Sequence, residues 1–388
     1  MTNHSHKHPV IKVARVATVP FSHRANQDMY GLLTEMGVEV TVVCSRTEEF
    51  EDIEKWSVKQ VYEVPISREI APLRDLISIW KLMVFVRKNK PDILHSSTPK
   101  GGLVCAFAGW LCRVPVRIHT FTGQRWATLS GVKKWILMTC EWLVGRLSTH
   151  LYADSPSQVQ FLVQSKIAPK DKITCLGIGS FGGIDTKRFK PGFKDDKLRD
   201  SLGFSPDDFV FVFVGRINSD KGINELAYAF SKLIRDIEEV KLLLVGPFEQ
   251  DLNPIAAESY EFLKSNPKVK CAGLVDKPEK YLALSDVMVF PSYREGFPTV
   301  ILEAAAMEVP TIGTDIVGGK DTIIDGETGV LIPSHDQEAL LQKMLWTLNH
   351  RDQLEVMGKA GRKWVCDNFE TKAFSKMQFE EYQRILTA

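Results

Sequence analysis

The 388-residue chain lacks paired cysteines: its seven, at positions 44, 105, 112, 140, 175, 271 and 366, share no spacing and fall mostly in apolar runs. That excludes a disulfide framework and a zinc pattern, and is expected of reduced, buried thiols in the cytoplasm. No stretch reaches the ~18 consecutive apolar residues of a membrane span. The polar start, Met1 to Pro9, has no signal-peptide core and reads as a disordered leader, a metal site on His4, His6 and His8 being the lesser alternative. Charge of one sign is also missing, with 49 Lys plus Arg against 48 Asp plus Glu, so nothing global favours nucleic acid as a partner. Asp-x-Asp does not occur, so a metal bridged by that motif is not indicated and no metal is expected.

What is present is a repeated alternation of buried-looking strands and amphipathic helices, in a chain long enough for two domains. Ile11 to Val19 and Val38 to Cys44 read as strands around a helix from Asn26 to Met36. A helix from Leu73 to Lys90 stops at Pro91. Short strands at 92–95, 116–119, 150–153 and 172–176 then alternate with helices at 101–112, 133–147 and 155–164. Parallel strands need crossovers and helices supply them, so this is an α/β doubly wound parallel sheet. Gly177-Ile178-Gly179-Ser180-Phe181-Gly182 matches G-x-G-x-x-G, but Asp185, Pro191 and Gly192 follow where a nucleotide fingerprint needs a helix, so it is rejected.

The expected domains are 1–186 and 209–368, joined by a charged, Gly- and Pro-containing linker at 187–208. The second opens on Phe209 to Val214, apolar on both faces as in a covered parallel sheet, with further strands at 240–245, 269–271, 287–290, 311–313 and 330–332. A last helix, 369–388, is expected to pack back on the first domain.

Residues 290–306 carry the chemistry. An apolar run ends at Pro291, and Pro298 opens a run of helix formers, so the stretch reads strand, loop, helix at the mouth of a sheet. Pro298 at the first helical position would leave the N–H groups of Thr299 and Val300 at a helix N-terminus suited to phosphate. Glu295 lies in the loop, and Glu303 is four residues past Thr299 on the same helical face. Carboxylates repel phosphate, so as functional groups both would meet hydroxyls on the same ligand, which describes a nucleotide sugar. The plainer alternative is a solvated loop acid and an exposed helix acid.

Gly215-Arg216-Ile217-Asn218-Ser219-Asp220-Lys221-Gly222 ends the first strand of the second domain. Ligands of open parallel sheets sit beyond the strand carboxyl ends, which places Arg216 and Lys221 in the crevice of Glu295. A forked Arg and a point-charge Lys suit a diphosphate leaving group, against the alternative of a surface Arg216–Asp220 ion pair.

Gly215-Arg216-x4-Lys221-Gly222, Glu295-x7-Glu303, Gly318-Gly319 and Asp325-Gly326-Glu327-Thr328-Gly329 in this order resemble glycosyltransferase family 4, the retaining enzymes of GT-B fold. The stretches 121–128, 153–158 and 183–189 are similar to the branch that builds bacterial capsule, O-antigen and other surface polysaccharides. The resemblance implies two Rossmann-like domains facing a cleft, a UDP-sugar donor and a glycan or polyprenyl-diphosphate-linked acceptor. Arg216 and Lys221 would bind the diphosphate, Glu295 the transferred sugar and Glu303 the ribose. Backbone N–H groups of Gly296 and Phe297 would meet sugar hydroxyls, and those of Thr299 and Val300 the distal phosphate. Main-chain groups from Gly273 to Val275 would read the base, and His119 would face the donor sugar.

Many relatives place a glycine pair after the first strand. Here Val19-Pro20-Phe21-Ser22-His23-Arg24 stands there instead, so His23 and Arg24 become candidates for an acceptor phosphate, with Gly101-Gly102 as either a phosphate cradle or a close helix packing. The Trp-bearing helix 133–147, basic at both ends, is read as a buried cover helix in preference to one lying at a membrane face. The enzyme expected is a cytoplasmic hexosyl- or N-acetylhexosaminyltransferase, peripheral to the inner membrane at most. The alternatives are a glycoside hydrolase using Glu295 and Glu303, and a non-catalytic nucleotide-sugar-binding subunit.

Overall fold

The described residues form thirteen strands, the central ones Val-, Leu- and Phe-rich runs buried on both faces, and the helices between them supply the covering layers. The computed structural model describes every residue except 1–9, 25, 48, 49, 68–70, 180, 181, 193, 194, 252 and 388. The expectations for the leader and its three histidines therefore lie outside the described residues, as do Ser180 and Phe181 of the rejected glycine run. No helix follows that run before Asp196 among the described residues.

The chain divides into two compact units, one reaching to Gly183 and including the chain from Thr371, the other running from Ile184 to Glu370. In the first, β1 (Ile11–Val16), α1 (Phe21–Arg24), α2 (Gln27–Glu35), β2 (Val38–Cys44), α3 (Phe50–Ile53), β3 (Gln60–Glu63) and α4 (Pro72–Asn89) come before the middle of the sheet. Then follow β4 (Ile93–Ser97), α5 (Pro99–Leu111), β5 (Val116–Phe121), α6 (Gly131–Leu147), β6 (His150–Ala153), α7 (Pro156–Gln164) and β7 (Ile173–Cys175). All pairings are parallel, in the order β3-β2-β1-β4-β5-β6-β7.

The second unit holds α8 (Asp196–Leu202), β8 (Phe209–Val214), α9 (Ile223–Leu233), β9 (Val240–Val245), α10 (Ala257–Ser265), β10 (Val269–Gly273) and α11 (Pro278–Leu282). It continues with β11 (Val287–Phe290), α12 (Thr299–Ala306), β12 (Thr311–Thr314), β13 (Gly329–Ile332), α13 (Gln337–Asn349) and α14 (Arg351–Asn368). Its sheet is again all parallel, in the order β10-β9-β8-β11-β12-β13.

The final helix, α15 (Thr371–Thr387), belongs to the first unit and packs on α2. Its buried Tyr382 hydroxyl meets Arg15 Nη1 at 3.0 Å and His95 Nδ1 at 2.7 Å, which gives the guanidinium inside β1 a partner within the core. The segment 187–208, read as a linker, is structured: α8 lies within it, and Phe189 and Phe204 join the second core along with Ile184. Strand β3 escaped the sequence reading because Gln60, Val61, Tyr62 and Glu63 form a short edge strand with no fully buried residue.

Three expectations about burial need correction. Trp135 is 74% exposed and Trp142 40% exposed, so α6 is not the buried cover helix that its apolar content suggested. Its inward contacts come from Val144, Gly145 and Glu141, the last accepting a 2.6 Å bond from the buried Trp126 Nε1. His23 is buried, with Nδ1 2.9 Å from the Tyr30 hydroxyl, and desolvation drives its pKa down to about 3, so it offers no cation to an acceptor phosphate. Of the seven thiols, only Cys44 and Cys105 are buried, and Cys271 is exposed.

Candidate active site

The two halves of the second sheet wind in opposite directions from the β8/β11 pair. β9 and β10 extend one way, β12 and β13 the other, so the loops that follow β8 and β11 lie at the topological switch point, where open parallel sheets take their ligands beyond the strand carboxyl ends. Arg216 and Lys221 sit in the loop after β8; residues 291–298 form the loop after β11. Glycines hold these loops close. Gly222 has φ +68°, and a Cβ there would lie 2.0 Å from the Pro291 carbonyl oxygen; Gly318, φ +81°, would place one 2.0 Å from that of Gly296. The Gly-Gly of the 318–319 motif is thus read structurally as close approach of the loop after β12 to the one carrying Glu295.

Lys221 forms an ion pair with Glu295, both side chains largely buried, and the Lys ammonium stands 5.1 Å from the centroid of the Phe290 ring. The buried Ser292 donates to Glu295 Oε1 at 2.6 Å, fixing the carboxylate in the loop. Glu295 is therefore not the solvated loop acid of the plainer reading. Arg216 pairs with Glu249 at 3.0 Å, and Asn218 Nδ2 donates to the same carboxylate at 2.8 Å. The alternative Arg216–Asp220 pair is not formed, because Asp220 is held by Arg294 at 2.8 Å. Each of the two cations thus has a carboxylate partner that an incoming anion would have to displace or share.

Pro298 occupies the N-cap rather than the first helical position, so α12 begins at Thr299, with Val300 next. The correction is one residue and leaves the N–H groups of Thr299 and Val300 in the first turn, where a helix has no internal acceptor for them. Gly296 and Phe297 are both buried, the Phe297 ring lying against Phe369. Gly273 ends β10 at φ +71°, and its carbonyl already accepts the Gly246 N–H at 2.8 Å, so a base would find freer main-chain groups toward Val275.

Glu303 is half-buried on α12, and it is not the exposed helix acid of the alternative. Burial raises its carboxyl to about 7, with Arg188 opposing the rise and Glu279 adding to it; Arg188 and Glu279 pair with each other at 2.8 Å. His119 lies in the first unit, 2% exposed, its Nδ1 2.9 Å from Ser96 Oγ and its ring edge-on to Phe121. Desolvation lowers its pKa to about 3, so the ring is neutral. The glycine pair 101–102 is buried too, and a Cβ on Gly102 would meet the His119 ring at 2.4 Å. Close helix packing accounts for that pair, and a phosphate cradle is not needed.

Glu249, Asn218 and Ser292 were missed by sequence reasoning. Glu249 follows β9 at the same sheet edge as Arg216, which was a usable signal; Asn218 and Ser292 lie inside motifs already singled out and had no signal of their own. Among the described residues no group of three His, Cys, Asp or Glu side chains is arranged to hold a metal.

Two parallel doubly wound units of this kind are the fold of GT-B glycosyltransferases. The sucrose-phosphate synthase of Thermosynechococcus elongatus superposes with a TM-score of 0.81 at 20% identity, over 97% of this chain and 99% of that one. Anabaena HepE, solved in complex with UDP-glucose, superposes at 0.79 with 17% identity over 96% of this chain and 99% of that one. The family described as glycosyl transferases group 1 matches residues 194–364, and the glycosyl transferase 4-like domain matches residues 22–179. The capsular polysaccharide biosynthesis glycosyltransferase CapM of Staphylococcus aureus is 34% identical over 93% of this chain and 94% of its own length. An Escherichia coli UDP-Gal:alpha-D-GlcNAc-diphosphoundecaprenol alpha-1,3-galactosyltransferase is 24% identical over 93% of this chain and 94% of its own length. The chain belongs to the GT-B glycosyltransferases of family 4. It is an enzyme of sugar transfer, which sets aside both the hydrolase and the non-catalytic alternatives.

Proposed function

We propose that this glycosyltransferase moves a hexose or N-acetylhexosamine from a UDP-sugar to a hydroxyl of a polyprenyl-diphosphate-linked glycan, with retention at the anomeric carbon and without a metal, in building a bacterial surface polysaccharide of the capsule or O-antigen type. The observation that carries it is the ion pair between Lys221, in the loop after β8, and Glu295, in the loop after β11, at the β8/β11 switch point, with Arg216 on the same loop as Lys221 and the start of α12 just beyond Glu295. A diphosphate placed there meets two cations and two first-turn N–H groups, while Glu295 and Glu303 accept hydroxyls of the sugar and the ribose. As the anomeric bond to the diphosphate breaks, negative charge grows on the leaving oxygen, and Arg216, Lys221 and the first-turn N–H groups of α12 would stabilise it and lower the barrier. The acceptor hydroxyl attacks from the same face, and its proton passes to the departing diphosphate oxygen, so that one C–O bond forms as the other breaks.

Main-chain groups of Gly273 and Val275 read the uracil, and those of Gly296 and Phe297 meet the sugar. A contact from His119 would be that of a neutral hydrogen-bonding ring, since burial keeps it unprotonated. An acceptor of this class brings the enzyme to the cytoplasmic face of the inner membrane, and the similarity to the E. coli enzyme whose name specifies a diphosphoundecaprenol acceptor supports that choice.

The test is a screen of nucleotide sugars for acceptor-dependent UDP release, with lipid-diphosphate-linked and free glycans as acceptors. One UDP-sugar is expected to be turned over with the lipid-linked acceptor and give a product of unchanged anomeric configuration. Turnover of only non-uridine donors, or an inverted product, overturns the reading.

Glu303 adds a pH signature. Its raised pKa means that the carboxylate form needed to accept ribose hydroxyls is lost as pH falls through about 7. Donor affinity measured by calorimetry is expected to weaken below that point by up to about tenfold per pH unit, and Glu303→Gln is expected to flatten the profile. A wild-type affinity that stays constant between about pH 8 and about pH 5, a span that brackets the raised value, removes Glu303 from the ribose site.

A further inference from the structure

We propose that the outward face of α4 and α6, with α5 between them, is a docking surface for an anionic lipid bilayer. The three helices lie side by side on one face of the first sheet, α5 touching both neighbours. Their inward faces are ordinary core, with Leu82, Phe85 and Val86 of α4 and Val104, Cys105 and Ala108 of α5 buried. What faces out is also apolar. On α4, Leu73, Leu76, Ile77 and Trp80 are 78%, 63%, 52% and 61% exposed, and they recur at helical spacing on one face. On α6, Val132, Trp135 and Ile136 are 77%, 74% and 42% exposed. These residues fall in the first two turns of each helix, with Trp80 opening the third turn of α4, near the carboxyl edge of the sheet, because crossover helices start where a strand ends. A monomeric surface seldom leaves this many large apolar side chains in water on neighbouring helices.

Charge decides the occupant. The helices α4, α5 and α6 carry four, one and three Lys or Arg residues against one, none and one acidic residue, in a chain whose net charge is only +1. Both acids are withdrawn from the surface: Asp75 is ion-paired with Lys100 and largely buried, and Glu141 is bonded to Trp126 inside the unit. The exposed charges on these helices are therefore all positive: Arg74 and Lys133 stand beside the apolar residues, and Arg87, Lys88 and Arg146 in the last turns of α4 and α6. A second copy presenting the same face would be repelled. An anionic headgroup layer would be attracted, while tryptophans at the same level suit the boundary between headgroups and acyl chains. This rests on the proposed function and deepens it by supplying the surface on which a lipid-linked acceptor would be met.

The experiment is vesicle co-sedimentation of the full chain without donor or acceptor, so that its outcome is independent of the transfer reaction. The probes are phosphatidylcholine vesicles with and without phosphatidylglycerol. The intact protein is expected to bind the anionic vesicles and to be released by salt. Trp80→Ser with Trp135→Ser should weaken binding on the order of tenfold per side chain. Lys133→Glu with Arg74→Glu should weaken it by at least about fivefold for each charge removed. All four positions are solvent-facing, so melting temperature and transfer to a water-soluble acceptor should be unchanged and serve as the check on folding. Binding to neither vesicle, equal binding to both, or variants that bind like the parent each overturn the proposal. Sedimentation showing a dimer that the Trp substitutions dissolve, without vesicle binding, assigns the face to self-association and overturns it as well.

Discussion

Replacing Lys221 with Met is expected to lower kcat/KM by about 100- to 1000-fold, the scale of losing one preorganised charge donor at a leaving group. The same change leaves Glu295 as a largely buried carboxylate with Ser292 as its side-chain donor among the described residues, so the protein should also lose about 3 to 4 kcal/mol of stability, the lower part of the range for breaking a buried pair. The two effects can be separated. Lys221→Met combined with Glu295→Gln removes both charges, and the neutral amide still accepts from Ser292. Its melting temperature should recover most of the loss, while activity should not. If activity returns together with stability, the pair is a structural clasp and neither residue acts on the donor.

The second large effect is expected at Arg216. Its side chain is about half exposed, and its pair with Glu249 is a surface one, so Arg216→Ala should change stability by no more than about 0.5 kcal/mol. Turnover should nevertheless fall about 100-fold or more. Arg216→Lys should recover only part of that loss, because a point charge does not reproduce the forked contact with two phosphate oxygens. Wild-type turnover in the Ala variant removes Arg216 from the mechanism. Glu249 is the useful control: Glu249→Gln keeps a hydrogen-bond acceptor for Arg216 and Asn218 but frees the guanidinium from a competing charge. It is expected to leave kcat nearly unchanged and to tighten the donor KM by a few fold, of the order of a surface ion pair.

Much of the architecture was legible before any coordinates. Runs such as Phe209 to Val214 and Val287 to Phe290 are too apolar and too short to be anything but covered strands, and both appear with those boundaries. Where the reading failed, tertiary context had outvoted local pattern. Gln60 to Glu63 pairs with β2 although its two strand formers, Val61 and Tyr62, are too short a run between polar residues to announce a strand. Helix α6 looks apolar enough to be buried, yet its tryptophans face water, because apolar content alone does not say which side of a helix has a neighbour.

The amino-acid sequence alone determined the doubly wound class, the two-unit organisation in outline, and the loops that carry cations and carboxylates, since strand alternation, proline and glycine placement and charged loop residues are local properties. Only the tertiary structure decided which charge meets which. Lys221 chooses Glu295, Arg216 chooses Glu249 and Asp220 chooses Arg294 because the parallel order β9-β8-β11 brings residues from separate crossovers to one edge. Partners separated by tens of residues leave no periodic trace in a chain, and their pairing exists only once the strands between them have been put in order.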